Sequence, residues 1–303
     1  MAKLSIFLFL PLLQYALAAS RTTPPSGAIV VRAGTTTAGE FSTLSAALAS
    51  LPNDDKRYYP RGSTHGIYGY TTDTTTYTGN QAILTAGVSA ATAGSDDASG
   101  TLRIHKNNFK MYNVNVKNTF GPGSQAIAIA QYGSQVGGTQ VYLKGYIEGA
   151  VDFIFGREGL AYFGGNTIAV SGPGCITASR RTSDDTGSYV FNENTVVLAS
   201  DAASDTSGNV FLGRPWGDFA KVIFKNTVIN APMNKALWSV WEPTDPNTDD
   251  VFFAEFNTTG SGASGAVHPS FATVLDATDA AMYSISSAVG SDFATWVDPA
   301  YLV

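Results

Sequence analysis

Cysteine and histidine are almost missing from this chain. Its 303 residues include one cysteine, Cys175, and three histidines. A single cysteine can form neither an intramolecular disulfide nor a CxxC metal site. His65, His105 and His268 are scattered, which leaves no zinc-binding spacing. Charge is scarce as well: Asp, Glu, Lys and Arg make up 14% of the chain, against about 25% in an average globular protein. The 24 acidic and 18 basic residues give a net charge of −6, so the basic footprint of a nucleic-acid binder is absent. There is no GxSxG elbow, and no histidine has a serine nearby in a nucleophile setting. No glycine-rich phosphate loop follows a strand. Beyond the N-terminus no apolar run approaches membrane length, which argues against a membrane partner. What is abundant is apolar and aromatic: 44% hydrophobic and 12% aromatic residues exclude a disordered chain and suffice for a large core.

The first residues set the expected compartment. Lys3 precedes an apolar run, Leu4 to Leu13, followed by the small residues Ala16-Leu17-Ala18-Ala19. A charged start, a short apolar stretch and an A-x-A site describe a secretory signal peptide; a buried N-terminal helix is the alternative. The expected division is residues 1–18 as signal peptide and 19–303 as one secreted, extracellular domain. Asn257-Thr258-Thr259 is then a possible glycosylation acceptor.

Helical patterning is confined to one place. From Glu40 to Leu51, Phe41, Leu44, Ala47 and Leu48 recur at helical spacing, and Pro52 ends the pattern. Elsewhere the chain alternates in short β-prone runs: Thr101–Thr119, Gln140–Ile147, Ala161–Val170, Ser188–Leu198, Asn209–Leu212, Lys221–Val228 and Leu237–Val240. Many short strands fit a sandwich or barrel, or a solenoid of stacked coils. Periodicity alone does not choose, although scarce Asn-Gly and Asp-Gly pairs argue against antiparallel hairpins.

Three stretches carry candidate chemistry. In Tyr146–Gly156, YIEGAVDFIFG, Asp152 stands between Val151 and Phe153. A carboxylate in apolar surroundings has a raised pKa unless a cation compensates; a turn or strand-end Asp is the bland alternative. In Leu212–Trp216, LGRPW, Arg214 offers a planar fork suited to a carboxylate and Trp216 a broad apolar face, or else a structural arginine and a packed ring. Gln125 opens the alternating stretch QAIAIA, where an amide at a strand end is commonly just solvated.

Taken in order, YIEGAVDFIFG, LGRPW and QAIAIA resemble the pectin methylesterase (pectinesterase) family in its short secreted fungal form, with supporting similarity at 68–77 and 176–192. The resemblance implies an all-β fold, a right-handed parallel β-helix with an N-terminal cap helix. It implies hydrolysis of the methyl esters of polygalacturonate to pectate and methanol, with no cofactor and no metal, and methyl-esterified pectin (homogalacturonan) as the partner of an expected monomer. By the same resemblance Asp152 is the nucleophile, Arg214 the residue that orients it, Gln125 an oxyanion donor, and Trp216 and Phe153 substrate contacts.

Two departures from the family pattern stand out. The Gln-Asp-Thr-Leu motif expected before YIEG, which would supply the general acid/base, is missing, and no Asp lies between Gln125 and Asp152. A second shortfall falls near 53–62. Both read as internal deletions. The first takes away something under one coil, which predicts either a neighbouring loop drawn in or a broken rung with unpaired edges, and lowered stability, because unpaired buried backbone is costly. A catalytically impaired pectin-binding β-helix is therefore the alternative to an active esterase. Glu148 is the nearest carboxyl, but four residues of strand span about 13 Å, too far from Asp152 to serve the same ester; Gln131, Gln135 and Gln140 could replace the lost amide donor but not the proton carrier. A lyase or polygalacturonase finds no support, since Asp184-Asp185 sits in a Ser/Thr loop.

Overall fold

Single residues in the left-handed region make the corners of this molecule. The computed structural model describes residues 19–50, 65–105, 108–131, 138–157, 159–202 and 206–303. After a short helix α1 (Leu44–Ala49), coil one runs β1 (His65–Tyr68), β2 (Ala82–Ala86), the small helices α2 (Ala90–Ala93) and α3 (Asp96–Ser99), and β3 (Leu102–Ile104). Coil two is β4 (Phe109–Tyr112), β5 (Val114–Asn118) and β6 (Ile129–Gln131). Coil three is β7 (Thr139–Leu143), β8 (Tyr146–Gly149) and β9 (Ile154–Gly156). Coil four is β10 (Leu160–Gly164), β11 (Thr167–Val170) and β12 (Gly174–Ser179); coil five is β13 (Ser188–Asn192), β14 (Thr195–Leu198) and β15 (Val210–Pro215). Coil six has β16 (Lys221–Lys225) and β17 (Val228–Ile229), and β18 (Phe252–Phe256) and β19 (Ala272–Val274) extend the first sheet. Helices α4 (Ala277–Ala281) and α5 (Ile285–Val289) follow, and α5 packs on β7, β10 and β13.

The three sheets are parallel throughout. Their orders are β1-β4-β7-β10-β13-β16-β18-β19, β2-β5-β8-β11-β14-β17 and β3-β6-β9-β12-β15. Each sheet takes every third strand, so this is a parallel β-helix, right-handed as parallel crossovers are. The first two sheets meet at a corner held by one residue of positive φ: Asn113, Lys144, Gly165, Glu193 and Asn226 in successive coils. So short a corner, one or two residues, explains why 140–147, 161–170, 188–198 and 221–228 read as single strands: each is two strands around one bend. Asn166 and Asn194 line that corner, and the Asn166 backbone N–H donates to Asn194 Oδ1 at 2.9 Å. The stretch 237–240 supplies only a bridge from Trp238 to Gly213.

The interior is a ladder of rings. Tyr142, Phe163, Phe191 and Phe224 are paired across neighbouring coils, with centroids 4.8, 4.4 and 4.2 Å apart in sequence. Those distances match the spacing of parallel strands, about 4.8 Å, so one ring per coil fills the core.

Two expectations are corrected. Helix α1 is shorter than Glu40–Leu51: Thr43 caps its start, Ala47 is buried, and Leu48 is exposed and outside the packed stripe. The Leu51–Pro52 end, the signal peptide and the second shortfall lie outside the described residues. The expected broken rung is also absent. β4 pairs with β7 and β6 with β9 in register, so the strand order steps by three through the place of the missing motif. Among the described residues the ladders are therefore intact at this place.

Candidate active site

The sharp bend between β8 and β9 carries Asp152 at φ 55°. Asp is one of the few side chains that tolerates this left-handed region. The bend turns the carboxylate away from the apolar interior that receives Phe153, and the Asp152 N–H is tied to Cys175 O at 2.7 Å. Asp152 is 1% exposed. Arg214, on β15 two coils along the same sheet, meets it with both prongs: Nε donates to Oδ1 at 3.0 Å and Nη2 to Oδ2 at 2.6 Å. The predicted pair is therefore formed across the stack. Gln125 donates a further hydrogen bond to the same carboxylate. It precedes β6 in an irregular stretch, so QAIAIA is strand only from Ile129 onward.

Burial is the larger influence on Asp152 and pushes its carboxyl above the ordinary range; the Arg214 fork, then Gln125, oppose that rise. The guanidinium is itself held more firmly protonated by its partner. Its remaining nitrogen, Nη1, donates to Trp241 O at 3.3 Å, and the group lies 4.2 Å from the Trp241 ring centroid.

A partly exposed aromatic platform adjoins the pair. Trp216 packs on Phe155 at 4.8 Å and lies 6.5 Å from Trp241, and Arg180 and Arg157 approach its ring at 4.7 and 5.7 Å. Trp241 and the two arginines escaped the sequence reading, since none sits in a recognisable motif. Phe153 is corrected: it is fully buried in the main core, facing the interior, and offers no surface to a substrate. Glu148 is out of reach of Asp152, as its spacing implies. It points from β8 to the opposite side, where Tyr146 Oη at 2.5 Å and Lys117 Nζ at 2.9 Å hold it. Gln131 and Gln140 are fully buried, and Gln135 lies outside the described residues. Among the described residues no group of three or more His, Cys, Asp or Glu is placed to hold a metal ion.

An ion-paired carboxylate beside an amide donor and an aromatic platform is equipped for attack on an ester of a sugar acid. A family profile for pectinesterases matches residues 135–292. A pectinesterase of Aspergillus niger is 37% identical, across 95% of this chain and 96% of its own length. One from Aspergillus aculeatus is also 37% identical, across 94% and 96%. The chain belongs to the pectinesterase family. The pectin methylesterase structure from Aspergillus niger superposes with a TM-score of 0.73 at 30% identity, covering 93% of this chain and all of that one. The carrot pectin methylesterase shares the fold, with a TM-score of 0.67 at 22% identity over 94% of this chain and 98% of its own. The Aspergillus niger alignment spans 324 positions, yet 95% of 303 residues is about 288, so about 36 positions face gaps in this chain.

Proposed function

We propose that this protein is a secreted pectin methylesterase, a carboxylic ester hydrolase that converts methyl-esterified homogalacturonan to pectate and methanol. The bidentate Arg214–Asp152 pair with Gln125 on the same carboxylate carries the reading, within a chain so similar to pectinesterases. Arg214 keeps Asp152 ionised and aimed. An Asp152 oxygen attacks the ester carbonyl carbon, and the Gln125 amide donates to the oxyanion that forms. Trp216 and Trp241 offer flat apolar faces to the C–H faces of sugar rings. The reaction uses side chains alone, without metal or cofactor. A single β-helix domain, residues 19–303, acts as a monomer after removal of residues 1–18. No helix among the described residues is long and apolar enough to cross a membrane.

Methanol release from highly methylated pectin tests the activity. The wild-type protein is expected to release it, and Asp152→Asn to lower the rate by about 10⁴-fold or more, as loss of a nucleophile does. A wild-type protein that binds pectin and yields no methanol would instead be the catalytically impaired β-helix.

A further inference from the structure

Methoxide is a poor leaving group, and the Asp152–Arg214–Gln125 set contains no group that can hand it a proton. The proton source has to come from elsewhere in the fold. Helix α3 lies on the same end of the third sheet as the nucleophile. Its capping residue Gly100 sits so close to Ala130 that an added Cβ would come within 3.1 Å of the Ala130 Cβ. Ser99 Oγ accepts from Ile127 N at 3.3 Å, and Ala90 N donates to Gln125 O at 2.7 Å, so α2 and α3 lie against the segment that carries Gln125. The far side of that segment rests on the nucleophile's bend, with Ala126 N donating to Val151 O at 3.3 Å and Ala128 N to Phe153 O at 3.0 Å. Helix α3 and the bend at Asp152 thus lie on opposite sides of the Gln125 segment, in the coils before and after it.

Asp96 is partly exposed and acts electrostatically on Asp152, while Arg214 and Arg157 act on Asp96. Its neighbour Asp97 faces away, paired with Arg103 and His105. Glu242 also reaches Arg214, from an exposed turn.

We propose, building on the esterase reading, that Asp96 is the general acid and base of this site. Asp152 attacks the carbonyl carbon. As the C–OCH₃ bond breaks, the Asp96 carboxyl gives its proton to the departing oxygen, leaving methanol and an Asp152 acyl intermediate. Asp96, now a carboxylate, takes a proton from water as the water oxygen attacks that intermediate. The products are the free galacturonyl carboxyl and an ionised Asp152, with Asp96 protonated again. Burial raises the Asp96 carboxyl above its ordinary value while Arg214 and Arg157 restrain it, which suits a group that must hold a proton in one half-reaction and release it in the other.

The test compares wild type, Asp96→Asn, Asp97→Asn and Glu242→Gln on two esters of one oligogalacturonate, the methyl ester and the phenyl ester. Phenoxide departs without a proton, so only the methyl ester needs the acid, and release is read in the first turnover, before hydrolysis of the acyl intermediate that both esters share. In that first turnover Asp96→Asn is expected to slow methanol release by about 10²–10⁴-fold with the half-saturating ester concentration nearly unchanged, and to slow phenol release by less than about tenfold. Asp97→Asn should match wild type on both. Circular dichroism of each variant checks that it folds. Equal losses on the two esters, methyl-ester activity in Asp96→Asn close to wild type, or a methyl-selective loss in Glu242→Gln would overturn the assignment. If the wild type releases no methanol while Asp96→Asn folds normally, the esterase reading itself has failed and this assignment with it.

Discussion

Arg214 is the chief influence that opposes burial at Asp152, and so bears on the charge state of the proposed nucleophile. Burial drives that carboxyl toward its neutral form, and the guanidinium is the main influence against it. Since attack requires the ionised form, kcat/KM should rise with pH through the Asp152 titration. Arg214→Lys loses the fork geometry and Arg214→Ala loses the charge as well, so the acid limb of the profile should move to higher pH in that order. A limb that stays in place in Arg214→Ala would mean that Arg214 does not control the ionisation. Trp216 offers a different signature. It touches neither prong of the pair, so Trp216→Ala should raise KM by about tenfold, equivalent to about 1.4 kcal/mol of binding, with kcat little changed. Steady-state kinetics on methylated oligogalacturonate would separate the two effects. Asp152, Arg214 and Gln125 were legible because each sits in a contiguous signature. Asp96 was not, because its placement depends on coil stacking and it lies on a four-residue helix far upstream. Phe153 was misread because a motif does not say which side of a bend each neighbour faces.

At the scale of elements, alternation located nearly every strand but not the corners. Lys144, Glu193 and Asn226 adopt positive φ, and only asparagine among them advertises that preference. A bend of one or two residues leaves the alternation of flanking strands almost undisturbed, so two strands read as one. The parallel pairing was no more legible, because the ring ladder has one member per coil at irregular sequence intervals. Phe191 occupies its middle, fully buried and stacked on Phe163 and Phe224 at 4.4 and 4.2 Å. Phe191→Ala removes both contacts and opens a cavity between close-packed coils. The expected cost is about 3–5 kcal/mol, measurable as a lowered denaturation midpoint. Asn166 should matter for another reason. Its side chain accepts from Gly145 N at 2.9 Å and donates to Tyr142 O at 2.9 Å. Asn166→Ala strands those buried groups, at about 1–3 kcal/mol each.

For the whole molecule, the decisive quantity is whether the shortened chain is missing a fraction of a coil or an integral number. A solenoid is stabilised by contacts between nearest neighbours, so a defect in one coil divides the array into two cooperative units. A partial coil between β6 and β7 would expose the β7 amides on one side and let them exchange with solvent well before the rest. The structure instead places Val141 of β7 opposite Lys110 of β4 on one side and Tyr162 of β10 on the other, with β8 and β9 equally well paired. Removing whole coils shortens such an array without breaking it, and the nucleophile's coil keeps neighbours above and below. Hydrogen exchange read by mass spectrometry should therefore find the β4, β7 and β10 peptides protected to a similar degree and opening together as denaturant is added. Peptides covering 139–143 that exchange orders of magnitude faster than those covering 160–164 would mean a fractured rung. Asp152 and Arg214 would then stand in a coil with an open neighbour, and Asp96 would be on the far side of the fracture from the nucleophile it is proposed to serve.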